Sequence, residues 1–157
     1  QQSGIPYGIG FLKNKYIGRT FIQPNQKLRE NTVRIKLNPI ADTVKGRRVV
    51  LVDDSIVRGT TCANIIKMLK AAGATEVHVR VSSPPFLYPC YFGTDVPSNE
   101  VLIAHSHSQE EICEMIGADS LGYMELDKLQ ETVGDICYCD ACFTGKYPMA
   151  IPENIIE

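Results

Sequence analysis

The stretch "RVVLVDDSIVRGTT", residues 48–61, decides how this chain is read. Residues 49–52 form an unbroken apolar run, the pattern expected of a strand buried on both faces of a parallel sheet. The run meets two adjacent carboxylates, Asp53 and Asp54, and then a small-residue turn over 55–61. Thr60 and Thr61 open a helical pattern in which Cys62, Ile65, Ile66, Leu69 and Ala72 share one face. Gly73 supplies the stop. Residues 76–83 alternate as a second strand, ended by Pro84 and Pro85. Strand, turn, helix and strand make a βαβ unit with a right-handed crossover, so the fold class is α/β with a mostly parallel sheet flanked by helices.

In open α/β sheets, ligands sit outside the carboxyl ends of the strands, where Asp53 and Asp54 fall. The helix start that follows offers unpaired N–H groups and partial positive charge, which suits a phosphate. Gly59 allows close backbone approach, Thr60 and Thr61 add hydroxyl donors, and Arg58 can supply a cation or point to solvent. The carboxylates would repel a phosphate, so they need another partner. Sugar hydroxyls or a divalent cation, held directly or through water, fit. Ribose 5-phosphate carries that combination. A plain helix cap is the competing explanation, but two acids after four apolar residues and before a Gly-Thr-Thr turn exceed what a cap needs. The GxxxxGK[ST] pattern is missing, which disfavours a P-loop hydrolase.

Elsewhere the chain carries fewer local signals. It has 157 residues, 44% apolar and 22% charged, with a formal net charge of −2 and a pI near 5.9, ordinary for a soluble domain. That balance argues against a dedicated nucleic-acid binder. The absence of a long apolar run argues against a membrane span and makes a cytoplasmic setting the expectation. Residues 5–13 read as a short strand. Residues 14–47 lack clean periodicity, and together with their edges they hold Lys13, Lys15, Arg19, Lys27, Arg29, Arg34, Lys36, Lys45, Arg47 and Arg48. That basic segment is either a solvated loop or a lid over an anion. Ser108 and Glu111 form a capping-box pattern ahead of Ile112 and Ile116, with Gly117 as stop. A strand or extended link over 120–125 and a helix over 127–133 follow. Of six cysteines, Cys62 and Cys113 fall on apolar helix faces as small core residues. Cys139 and Cys142 form C-x-x-C, consistent with zinc, an iron–sulfur cluster or a redox pair. Cys90 stands far away in sequence. His105 and His107 read as facing solvent or locally hydrogen-bonded rather than metal-binding, and His78 as half-exposed within an alternating strand.

"VVLVDDSIVRGTT" resembles the 5-phosphoribosyl-1-diphosphate (PRPP) motif of type I phosphoribosyltransferases. Three further stretches carry the resemblance to the glutamine PRPP amidotransferases: "KNKYIGRTFIQPNQKLRENTVRIKLNPI" (13–40), "SSPPFLYPCYFGTD" (82–95) and "CDACFTGKYP" (139–148). The resemblance implies a type I phosphoribosyltransferase fold with a flexible catalytic loop and a C-terminal cysteine-bearing tail. Residues 1–125 would be the later part of the transferase domain and 126–157 the last helix and tail. A glutaminase domain would lie upstream, and the chain alone would be inactive.

The same resemblance implies roles. Asp53 and Asp54 would contact the ribose hydroxyls and Mg²⁺. Ser55, Arg58, Gly59, Thr60 and Thr61 would line the 5-phosphate pocket. Lys13, Tyr16 and Arg19 would be catalytic, on a loop closing over the diphosphate. Cys90, Cys139 and Cys142 would ligate a [4Fe–4S] cluster whose fourth ligand lies upstream of Gln1, with Cys137 off the family spacing. Glutamine-derived ammonia would displace diphosphate at C1 in the first committed step of purine synthesis. Purine nucleotides would act as feedback inhibitors, and the full-length enzyme would be a homo-oligomer. A PRPP-binding regulator and a purine-salvage transferase are the alternatives. Both are disfavoured, the first for want of a basic nucleic-acid element and the second by the cysteine pattern and the 82–95 segment.

Overall fold

The apolar runs pair in parallel. In the computed structural model, which describes residues 3–13, 37–94, 96, 98–134 and 136–151, β3 (Arg48–Asp53) pairs with β4 (Glu76–Val81), and β4 pairs with β5 (Ser120–Tyr123). The order is β3-β4-β5, and Asp53, Val81 and Tyr123 stand in register at the carboxyl end. A separate antiparallel pair joins β1 (Phe11–Lys13) to β2 (Leu37–Pro39). The strand expected over 5–13 is thus confined to its last three residues. A short helix, α1 (Ala41–Val44), leads into β3.

The βαβ unit forms as its pattern predicts. Helix α2 (Thr60–Ala71) connects β3 to β4, and Gly73 follows it at φ +98°. Cys62, Ile66 and Leu69 are buried, while Ile65 and Ala72 pack partly against the core. Val77, Val79 and Val81 present the sheet side of that core, joined by Ile112, Ile116 and Leu121. Each large side chain so buried stabilises the fold by about 1.5–3 kcal/mol. Beyond β4 the chain forms α3 (Ile103–Ser106) after a 3₁₀ turn, then α4 (Gln109–Ile116). Helix α5 (Leu126–Val133) and the short α6 (Ala141–Thr144) follow β5. Among the described residues no helix is long and apolar enough to cross a membrane.

One expectation fails. Strand β3 is not buried on both faces: it alternates, with Val50 39% and Val52 69% exposed. The reason is that, among the described residues, the core formed with α2 and α4 covers only one face of the sheet; the central strand β4 is open on the other face too, where Glu76 and His78 are half-buried and Arg80 is exposed. On the other face the valines adjoin a polar ladder. Glu76 Oε2 accepts from Arg48 Nε and lies 2.8 Å from His78 Nε2, and His78 Nδ1 lies 2.9 Å from Ser120 Oγ. His78 is half-buried, as read, and is also tied to neighbouring side chains. His105 Nδ1 likewise meets the Leu87 carbonyl at 2.9 Å, and His107 Nδ1 meets Ser106 Oγ at 3.0 Å.

Candidate phosphosugar site and cysteine tail

The loop after β3 is held by what precedes and follows it. The Asp53 carbonyl accepts the Ser82 N–H at 2.9 Å and the Ser82 hydroxyl at 3.2 Å, locking the ends of β3 and β4 together. Ile56 is buried as a plug in the core. The Val57 carbonyl accepts the Ile103 N–H at 2.8 Å. Gly59 is buried at φ +76°, and a Cβ there would stand 3.0 Å from Ile103 Cδ1. The dihedral therefore favours glycine, and a Cβ would oblige Ile103 to shift.

This scaffold leaves polar groups facing outward. Gly59 is the N-cap of α2, and no side chain caps the helix. The first helical bond is Ala63 N–H to the Gly59 carbonyl, so the amides of Thr60, Thr61 and Cys62 precede it without helical acceptors. Thr60, Thr61 and Arg58 are exposed, and Ser55 is half-buried. Asp54 is exposed and Asp53 half-buried, so neither carboxylate is lost in packed interior. Asp53 Oδ1 accepts the Asp54 N–H at 3.0 Å, and Asp54 Oδ1 accepts the Ser55 hydroxyl at 3.2 Å. Burial raises the Asp53 carboxyl above its ordinary 3.8, the Asp54 amide partly offsets that, and the Asp54 charge adds to the rise. A cation placed between the two acids would relieve both costs.

A Mg²⁺ ion uses one or two carboxylates together with water and substrate phosphates, so two adjacent acids suffice. Among the described residues no three His, Cys, Asp or Glu side chains are set to hold a single metal ion. The described groove, about 610 Å³, lies elsewhere on the carboxyl edge, lined by Pro84, Pro85, Gln109, Tyr123, Glu125 and Phe143 among others. Lys13 ends β1 opposite Leu37. Tyr16 and Arg19, with the rest of the expected catalytic loop, lie outside the described residues.

Cysteines far apart in sequence come together. The Cys142 carbonyl accepts the Leu87 and Tyr88 amides at 2.9 and 3.1 Å, which docks α6 beside the segment carrying Cys90. Cys90 Sγ accepts the amides of Gly93 at 3.4 Å and Thr94 at 3.3 Å. Burial pushes the Cys90 thiol up, but the amides of Gly93, Phe92 and Thr94 outweigh it and set the group below an ordinary thiol. Cys142 goes the other way, raised by its burial and further by the neighbouring Cys90 and Cys139. Cys139 and Cys137 are exposed, whereas Cys62 is buried and pushed up to about 12 by burial and by Asp53. Cys113, half-buried, donates to the Ala118 carbonyl. Three features escaped the sequence reading: the Ser82 tether, the amide cradle at Gly93 and Thr94, and Tyr147, whose hydroxyl donates to the Pro89 carbonyl at 2.8 Å. All of these residues lie inside the two quoted stretches 82–95 and 139–148, but nothing in those stretches reveals the contacts they make.

A parallel α/β sheet whose first strand ends in paired acids before an uncapped helix has the type I phosphoribosyltransferase fold. One solved structure superposes with a TM-score of 0.82 over 98% of this chain and 34% of its own, at 53% identity, and is described as the allosteric regulatory enzyme of purine biosynthesis. The glutamine PRPP amidotransferase of Bacillus subtilis, complexed with ADP and GMP, gives 0.81 at 54% identity over 97% of this chain and 35% of its own. Among curated proteins, the amidophosphoribosyltransferase of Archaeoglobus fulgidus is 56% identical over 100% of this chain and 35% of its own length. That of Pyrococcus horikoshii is 58% identical over 94% of this chain and 32% of its own. No family model matches. The chain belongs to the amidophosphoribosyltransferase family, and it spans about a third of the length of the relatives it matches.

Proposed function

We propose that the protein carrying this chain transfers the 5-phosphoribosyl group of PRPP to glutamine-derived ammonia, yielding 5-phosphoribosylamine and diphosphate. The observation that carries the proposal is the pairing of Asp53 and Asp54 with the uncapped start of α2 across the left-handed Gly59. In this reading the amides and hydroxyls of Thr60 and Thr61, with Ser55 and Arg58, bind the 5-phosphate. Asp53 and Asp54 orient the ribose hydroxyls and hold Mg²⁺, which supplies charge neutralisation on the departing diphosphate. Lys13, Tyr16 and Arg19 belong to the segment that closes over the leaving group. Closure excludes water, and each well-placed cation contributes about 3 kcal/mol, roughly a hundredfold in rate. The amidotransferase name attaches to relatives that match the chain end to end, which favours this reading over a salvage enzyme or a PRPP-binding regulator. A cytoplasmic setting, feedback by purine nucleotides and a homo-oligomeric full-length enzyme are proposed with it. The first draws on the free thiols and the second on the nucleotides bound to the Bacillus subtilis relative.

Cys90, Cys139 and Cys142 are proposed as three ligands of a [4Fe–4S] cluster, with the fourth thiolate from outside this chain. The residues fit such a group. Cys90 is cradled by amides that favour its thiolate, and it stands beside Cys142 and Cys139. The functional experiment is PRPP consumption by the full-length protein with glutamine or ammonia and Mg²⁺. Turnover is expected with either nitrogen source; a full-length protein that binds PRPP but forms no phosphoribosylamine would overturn the reading.

A further inference from the structure

Tyr147 reaches the residue before Cys90 and the two residues after it. Its hydroxyl donates to the Pro89 carbonyl at 2.8 Å. Its ring meets Tyr91 at 5.2 Å and Phe92 at 6.3 Å between centroids, in tilted and edge-on arrangements. On the other side of the tail, Phe143 meets Phe86 edge-on at 5.1 Å, next to Cys142. Gly145 allows the closest approach: a Cβ there would stand 3.1 Å from the Tyr88 ring. Together with the two amides on the Cys142 carbonyl, these contacts hold the segment 86–92 against 142–147. None of them involves a metal.

We propose that Tyr147 is a positioning residue for the cysteine site, holding Cys90 against Cys139 and Cys142 before any cluster is present. The inference rests on the proposed cluster for its purpose, but the positioning itself is a property of the polypeptide. A hydrogen bond to a main-chain carbonyl fixes the height of the 89–90 backbone. The flanking rings fix its direction, since aromatic pairs at these distances favour particular relative orientations. Cys90 then needs no metal to keep its sulfur under the Gly93 and Thr94 amides.

The test uses the full-length protein in metal-free, reduced form, with Tyr147→Phe and Tyr147→Ala beside the parent. Alkylation of each cysteine by iodoacetamide is followed peptide by peptide, with exposed Cys137 as internal reference. With alkylation run well above the ordinary thiol range, so that thiolate fraction does not limit either cysteine, losing the hydrogen bond should speed modification of Cys90 relative to Cys137 roughly fivefold in Tyr147→Phe. Losing the ring as well should raise it by a further severalfold in Tyr147→Ala. Equal Cys90 rates in all three proteins would overturn the inference. A separate arm reconstitutes each protein with ferrous iron and sulfide and follows visible absorption in air. Faster bleaching in both variants supports the positioning role. A parent that takes up no iron defeats the cluster proposal alone, because the alkylation arm still reads the positioning.

Discussion

At Gly59 the backbone sits at φ +76° with Ile103 Cδ1 3.0 Å from where a Cβ would be. Gly59→Ala therefore combines left-handed strain with a clash in the core, and we expect a loss of about 1–3 kcal/mol, read from denaturant midpoints. Asp53 carries the opposite balance. Its carboxyl is raised by burial and by the Asp54 charge, so its folded pKa lies above the unfolded one. The ionised form is thus a burden on the fold above that pKa, relieved as pH falls. Asp53→Asn keeps an oxygen for the Asp54 amide and removes the charge. It should unfold at slightly higher denaturant than the parent while losing about a hundredfold in PRPP turnover. A variant that loses both stability and activity would show that Asp53 is structural.

Among the elements, α4 is one whose start was fully legible, cap included. The Ser108 hydroxyl accepts the Glu111 amide at 3.2 Å and the Glu111 carboxylate accepts the Ser108 amide at 2.7 Å, the two bonds of a capping box. Ser108→Ala should cost about 1 kcal/mol, seen as a lowered thermal midpoint. Signals of this kind are local: a cap, a stop glycine, a period of 3.6. Hence α2, β4, α4 and β5 stand where the residues predict. A continuous apolar run has no period, so residues 49–52 could not reveal that Val50 and Val52 face outward. Three- and four-residue elements such as β2, α1 and α3 are too short to leave a pattern. The paired acids and Gly59 were legible because their chemistry is unusual in one short stretch. The docking of the tail was not, because rings some 55 residues apart supply it.

For the molecule as a whole, acid sensitivity follows from two carboxylates that clip the sheet. Glu76 is held below its ordinary 4.5 by Arg48 first and then His78, and Asp119 below its ordinary 3.8 by the Val77 amide and then Lys70. Folded values below unfolded ones mean that the unfolded chain binds protons more readily. The stabilisation is complete above the ordinary carboxylate range and is lost as pH falls through the lowered folded values. Denaturant midpoints of the full-length protein should fall across that window. The double variant Glu76→Gln, Asp119→Asn should be less stable at neutral pH and flatter below it; an unchanged slope would assign the acid sensitivity to other groups. Meanwhile the turn beyond β3 is riveted at three points, by Ser82 at its root, Ile56 at its centre and Ile103 at its far side. It behaves as a stator. If the proposed phosphate binds there, it would find its donors already aimed, so little ordering entropy would be lost at the anchor end of the substrate, and whatever movement accompanied capture would be left to other parts of the protein.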